Sequence, residues 1–84
     1  MHALIAGLGQ QLRAITDNPP ERPTANDRRD LMQIRDAIKD LAEKNLVGQD
    51  NIDCQGLYVL ATREANRQEN FYEQNGNKWA DEAA

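Results

Sequence analysis

Residues 31–41, LMQIRDAIKDL, carry the pattern that decides the fold. The large apolar residues of this stretch recur every three or four positions: Leu31, Ile34, Ile38 and Leu41. An α-helix completes a turn in about 3.6 residues, so this spacing aligns the side chains along one stripe that must be buried. Similar spacing occurs at the start of the chain: Met1, Ile5, Leu8, Leu12 and Ile15. The sequence therefore predicts two helices that pack against each other.

We expect the first helix to cover about residues 2–16 and the second about residues 26–46. The connector over residues 17–25 holds the three prolines of the chain: Pro19, Pro20 and Pro23. Proline fixes φ and lacks an amide donor, so this segment is a stiff loop that lets the second helix fold back antiparallel to the first. Thr24 and Asp27 have the spacing of a capping pair at the start of the second helix.

A third and longer helix is predicted over residues 52–75, with three candidate N-caps: Asp50, Asn51 and Asp53. Five consecutive apolar or aromatic residues over 57–61 indicate a helix turn surrounded by protein. Residues 62–70 contain no large apolar side chain, so we expect this part to be solvated around most of its circumference. The tail over residues 80–84 is expected to be frayed. The prediction is one all-α domain of three helices over residues 1–84.

The charge distribution argues against nucleic-acid binding. Residues 1–44 hold seven Lys and Arg and seven Asp and Glu, whereas residues 45–84 hold three and seven, which gives the net charge of −4. Affinity for nucleic acid comes mainly from Lys and Arg that neutralise phosphates, so an acidic chain is a poor candidate. The apolar run over residues 3–8 is far shorter than the ~20 residues of a membrane-spanning helix. With no secretory leader recognisable, a cytoplasmic location and no membrane contact are expected.

The residue types needed for catalysis or metal binding are nearly absent. His2 and Cys54 are the only histidine and cysteine, and the chain contains no serine. A zinc site needs four well-spaced donors, and a nucleophile needs an adjacent base. The lone cysteine also excludes an internal disulfide. We therefore expect no enzymatic activity, no catalytic residues, no metal, no cofactor and no small-molecule substrate.

The informative cluster is aromatic. Three of the four aromatic residues fall within nine positions of an acidic, amide-rich segment: Phe71, Tyr72 and Trp79. Few apolar neighbours are available to bury them, and aromatic anchors ringed by polar residues are typical of binding surfaces. Two interpretations stay open. The aromatics either fold back as a lid over the first two helices, or they form an exposed binding surface together with Glu69 and Glu73.

Elimination leaves protein binding as the favoured function: a small acidic adaptor or inhibitor that docks on a larger protein, with homodimer formation as a further expectation. Small size and missing chemistry are also common among phage and mobile-element proteins, although no motif indicates that origin. The alternative is a helix-turn-helix regulator that contacts DNA through the second helix. Its candidate contact residues are Arg28, Arg29, Arg35 and Lys39.

Overall fold

The structure is a computed structural model that describes residues 1–82. Within that range the chain forms three α-helices, which are α1 (His2–Thr16), α2 (Ala25–Ala42) and α3 (Gly48–Gln74). A short 3-10 helix, Ala80–Glu82, follows. The described residues contain no strand. The prediction of an all-α domain with three helices, the longest one last, is confirmed.

The helices form an elongated bundle in which α2 runs antiparallel to α3. Near the start of α2, Arg28 Nη1 donates to the carbonyl oxygen of Ala65 at 2.9 Å. Later in α2, the Ile38 carbonyl lies 3.4 Å from Cys54 Sγ, near the start of α3. The Cα positions span 47 × 19 × 15 Å, so the core is only about one side chain deep. None of the helices between residues 1 and 82 has both the length and the apolar composition needed to cross a bilayer.

The core consists of buried apolar residues from all three helices. Its buried members are Ile5, Leu12, Leu31, Ile38, Leu41, Cys54, Leu57, Ala61 and Ala65. Both predicted stripes therefore supply core residues. The small side chains at Ala61 and Ala65 contribute little volume to this core, so stability depends strongly on the few large aliphatic residues.

The connector ends in a reciprocal cap at the start of α2. The amide of Asp27 donates to Thr24 Oγ1 at 3.1 Å, and the amide of Thr24 donates to Asp27 Oδ2 at 2.9 Å. Two backbone donors at the helix N-terminus are thereby satisfied, and the carboxylate lies where the helix dipole favours negative charge. The capping pair that the sequence indicated is confirmed.

The second helix ends at Ala42, four residues before the predicted end. The amide of Lys44 donates to the Leu41 carbonyl at 3.0 Å, which tightens the final turn. Asn45 then adopts φ 56°, in the left-handed region that asparagine tolerates better than most residues. The left-handed residue therefore stops the helix before the apolar pattern stops.

The third helix begins at Gly48, four residues earlier than predicted. The residue at the N-cap position is Val47, in extended conformation, and no side chain caps this end. The three polar residues that suggested a later start lie inside the helix. Asp50 is in the first turn of α3, where its carboxylate interacts favourably with the helix dipole. It does not cap the helix through a hydrogen bond.

The second half of α3 is packed on one side, which corrects the prediction that residues 62–70 are mostly solvated. Glu64, Ala65 and Gln68 are buried. Arg67 explains how a carboxylate can be buried here: its guanidinium contacts Glu64 at 2.9 and 2.6 Å and donates to the Pro20 carbonyl at 2.7 Å. The connector therefore covers this face of α3 through a polar contact that apolar periodicity does not reveal.

The tail is docked where the sequence predicted fraying. The amide of Ala80 donates to the Pro23 carbonyl at 3.0 Å, and Asp81 Oδ1 accepts from the amide of Ala25 at 3.0 Å. Asp81 thus satisfies a donor in the first turn of α2, which explains why the tail is held there. The rest of the predicted frayed tail, residues 83 and 84, lies outside the described residues.

Gln68 allows a test of what a buried amide without hydrogen bonds costs in stability. Its side chain is fully buried, and neither Nε2 nor Oε1 makes a hydrogen bond within the described part of the chain. Burying an unpaired amide is unfavourable, so Gln68→Met, which keeps the side-chain length, is expected to raise the free energy of unfolding by about 1–2 kcal/mol. Urea unfolding followed by circular dichroism measures this change. The same substitution at the exposed Gln55 is the control and should have little effect.

Candidate functional site

Three aromatic residues lie at one end of the bundle: Phe71, Tyr72 and Trp79. We call this surface, which also includes Glu69 and Glu73, the C-terminal aromatic end. The rings of Tyr72 and Trp79 have centroids 4.6 Å apart and planes tilted by 40°. This pair can form because α3 ends at Gln74 and the chain then reverses. Tilted pairs of this kind are favourable beyond the area they bury.

Two arginines cover the aromatic rings. The guanidinium of Arg28 lies 5.6 Å from the ring centre of Trp79, and that of Arg22 lies 5.5 Å from the ring centre of Phe71. A cation over an aromatic face is attracted by the ring quadrupole. Arg28 also lies 3.4 Å from a carboxylate oxygen of Glu69. The aromatic end is thereby linked to the connector and to the start of α2.

The three aromatic side chains are half-buried, and each keeps an exposed part. Phe71 contacts Arg22 in the connector and Trp79 contacts Arg28 at the start of α2, so the aromatics cover this region and not the length of the first two helices. Around them lie the Glu69 side chain, which is 46 % exposed, and the exposed Glu73. The five residues that the sequence singled out therefore share one end of the molecule. Whether they contact a partner stays a prediction.

A second candidate surface, which the sequence analysis missed, is an apolar groove between α1 and α3. We call it the α1/α3 groove. Its volume is about 490 Å³. The apolar lining comes from both helices: Ile5, Ala6 and Gly9 on α1, and Ile52, Gly56, Leu57 and Leu60 on α3. The remaining lining residues are polar: His2, Arg13 and Asp53.

The α3 side of the groove carries exposed apolar residues. Ile52, which lines the groove, is 62 % exposed, and Val59, two helical turns further along α3 and outside the lining, is 50 % exposed. The turn over residues 57–61, which was predicted to be surrounded by protein, is therefore open on one side. A usable signal was present in the sequence, because Ile52, Gly56 and Val59 have helical spacing on a face distinct from the core stripe.

The two ends of the groove carry opposite charges. His2 Nδ1 lies 3.9 Å from Asp50 at the end where α1 and α3 begin, and Asp53 lines the groove next to it. Arg13 lines the other end, with its guanidinium near Gly9. Arg13 is in the last turn of α1, where the helix dipole favours a cation. The groove is thus acidic at one end and basic at the other.

Two other candidate functional side chains, Cys54 and Arg28, are held within the fold. Cys54 is buried in the core, and this burial raises the pKa of its thiol, so a smaller fraction is present as the reactive thiolate. Arg28, one of the four proposed DNA contacts, is engaged with Ala65, Glu69 and Trp79. In residues 1–82, no group of three or more His, Cys, Asp or Glu side chains is placed to hold a metal ion.

No protein family, curated protein or solved structure matches this chain.

Proposed function

We propose that this protein is a small, non-enzymatic protein-binding module that docks a basic partner through the C-terminal aromatic end. One observation carries the proposal: Tyr72 and Trp79 form a fixed, half-exposed pair beside two acidic side chains. Aromatic side chains that are already ordered lose little conformational entropy when a partner binds. They also present a large apolar area together with polar atoms, as the central residues of many interfaces do.

The acidic residues define the chemistry of the partner. Glu69, Glu73, Asp81 and Glu82 lie at or near this end, and the last three are exposed. Lys78 is the only basic residue within residues 69–82, while Arg22 and Arg28 reach this end from the connector and from α2. Clustered negative charge speeds association with a basic surface at low salt and disfavours acidic partners. The proposed role is that of an adaptor or inhibitor for a larger basic protein.

Affinity capture from a lysate of the source cells, with the chain immobilised, identifies the partner. We expect the protein retained by the wild-type chain to be lost when Phe71→Ala is immobilised, because a half-exposed ring of the surface is removed. Tyr58→Ala is the matched control, since Tyr58 is a half-buried aromatic residue in the first half of α3. If the Phe71 variant is folded and retains the same protein as strongly as the Tyr58 variant, the proposed surface is wrong.

The DNA-binding alternative stays a prediction that no contact in the structure favours. Arg28 is occupied within the fold, and Arg29 donates to Asn26 Oδ1 at 2.9 Å. That leaves Arg35 and Lys39 as the freer members of the proposed set. A gel shift with duplex DNA at low salt tests this alternative, because retardation that disappears as salt rises is the signature of phosphate contacts.

A further inference from the structure

We infer that the α1/α3 groove is the interface of a two-fold symmetric homodimer in which the grooves of two copies face each other in antiparallel orientation. This surface is distinct from the C-terminal aromatic end, so the inference does not depend on the proposed function. Three features of the groove support it: exposed apolar residues, low walls, and a charge pattern that complements itself.

The α3 wall of the groove is incompletely covered within the chain. Ile52 is 62 % exposed and Leu60 is half-buried, whereas Ile5 and Leu57, which also line the groove, are buried in the core. Removing such side chains from water is favourable in proportion to the apolar area covered. A second copy seated on the groove would cover Ile52 and the exposed part of Leu60.

The groove is also shaped for close approach of another helix. Gly56 lies in the middle of its α3 wall, and a Cβ atom added there would meet no side-chain or neighbouring backbone atom within 4 Å. Glycine in a helix interior is less favourable than alanine by about 1 kcal/mol, and neither local crowding nor positive φ requires it at this position. Ala6 keeps the facing α1 wall low as well. Small residues at these positions allow the walls of two facing grooves to approach each other closely.

The charges select a second copy of this chain as the occupant. Asp53 lines the acidic end of the groove, with Asp50 close by against His2, and Arg13 lines the basic end. A two-fold axis perpendicular to the groove exchanges its two ends, so the Arg13 end of one copy meets the Asp53 end of the other. This happens twice in the dimer. Because the interface is isologous, one complementary pair of ends is sufficient for two favourable contacts.

Sedimentation equilibrium over a range of chain concentrations tests the interface. We expect the wild-type chain to show a monomer–dimer equilibrium, and Ile52→Lys to raise the dissociation constant by at least about tenfold, because each dimer would bury the new charge twice. Leu4→Lys is the matched control. Leu4 is 59 % exposed on α1 but does not line the groove, so its substitution should leave dissociation unchanged. Circular dichroism establishes that both variants are folded.

A charge exchange tests the antiparallel orientation. Arg13→Glu alone and Asp53→Arg alone each bring like charges together, so each variant should dissociate more readily than the wild type. Mixed in equal amounts, the two variants should form a heterodimer, because unlike charges then meet at both ends. Native mass spectrometry distinguishes this species when one variant carries a mass label.

Three results would overturn the inference. The first is a wild-type chain that remains monomeric at every concentration measured. The second is a dimer weakened equally by Leu4→Lys and Ile52→Lys, which would place the interface elsewhere. The third is a mixture of the charge variants that forms no more dimer than either variant alone, which would exclude the antiparallel arrangement.

Discussion

Replacing Leu12 with alanine is expected to lower the free energy of unfolding by about 3 kcal/mol, within the range observed for buried leucine residues. Leu12 is fully buried in α1 and belongs to the core shared by the three helices. The loss combines the transfer energy of the removed atoms with the cavity left behind. A domain of this size has a free energy of unfolding of only roughly 5–10 kcal/mol. The loss from this one residue would therefore be a large fraction of the total stability.

Urea unfolding at one temperature measures this effect. Leu4→Ala is the matched control, because it is the same substitution in the same helix at a largely exposed position. Its effect should stay within about 0.5 kcal/mol. Equal losses for the two variants would mean that α1 does not bury the stripe that contains Leu12, and the described packing of the bundle would be incorrect.

Removal of the Arg67 guanidinium is the second large effect. Glu64 is only 6 % exposed, and in Arg67→Ala its carboxylate loses both contacts to the guanidinium. The Pro20 carbonyl in the connector loses its hydrogen bond from Arg67 as well. A buried charge without its partner destabilises a protein by about 3–5 kcal/mol, and the partial exposure of Arg67 places the expected loss near the lower value. The hydrogen bond with Glu64 also raises the pKa of Arg67, so the guanidinium is charged throughout the accessible pH range.

A double substitution separates the ion pair from simple packing. Glu64→Leu combined with Arg67→Met removes both charges and keeps most of the side-chain volume, so it should recover much of the stability lost in Arg67→Ala. Thermal unfolding of the two variants provides the comparison. Should the double variant be as unstable as Arg67→Ala, the buried carboxylate would not be the source of the loss, and the contact with Pro20 would have to be.

Local sequence patterns were sufficient for the architecture. The periodic apolar residues of α1 and α2 specify which faces are buried, and a three-residue spacing specifies the cap formed by Thr24 and Asp27. These features depend on residues within one or two helical turns of each other. The predicted end of α2 and the predicted start of α3 were each four residues too late around Asn45 and Gly48. Both residue types favour turns, but their identity does not show at which residue the helix stops or restarts.

The contacts that were missed join distant parts of the chain. Arg67 and Pro20 are 47 positions apart, and the bond between them explains why the polar half of α3 is buried on one side. Asp81 and Ala25 are 56 positions apart, and their bond explains why the tail is docked. Spacing rules for helices say nothing about such pairs, so a polar segment was interpreted as solvated.

Only part of the candidate site could be predicted from the sequence. The sequence identified the clustering of Phe71, Tyr72 and Trp79, but it could not show that Arg22 and Arg28 cover two of these rings. The α1/α3 groove depends on which sides of two helices stay uncovered after the core is formed. Helical spacing separates Ile52 and Gly56 from the core stripe of α3, but only the packed bundle shows that α1 leaves a groove beside them.

The salt-dependent affinity of the captured partner tests the proposed function most directly. Isothermal titration calorimetry at low and raised salt should give weaker binding for the Glu69→Gln, Glu73→Gln double variant than for the wild type, and a smaller dependence on salt. Glu43→Gln, an exposed carboxylate just beyond α2, is the control and should bind like the wild type. If the double variant binds as tightly as the wild type at both salt concentrations, the C-terminal aromatic end is not the docking surface for a basic protein.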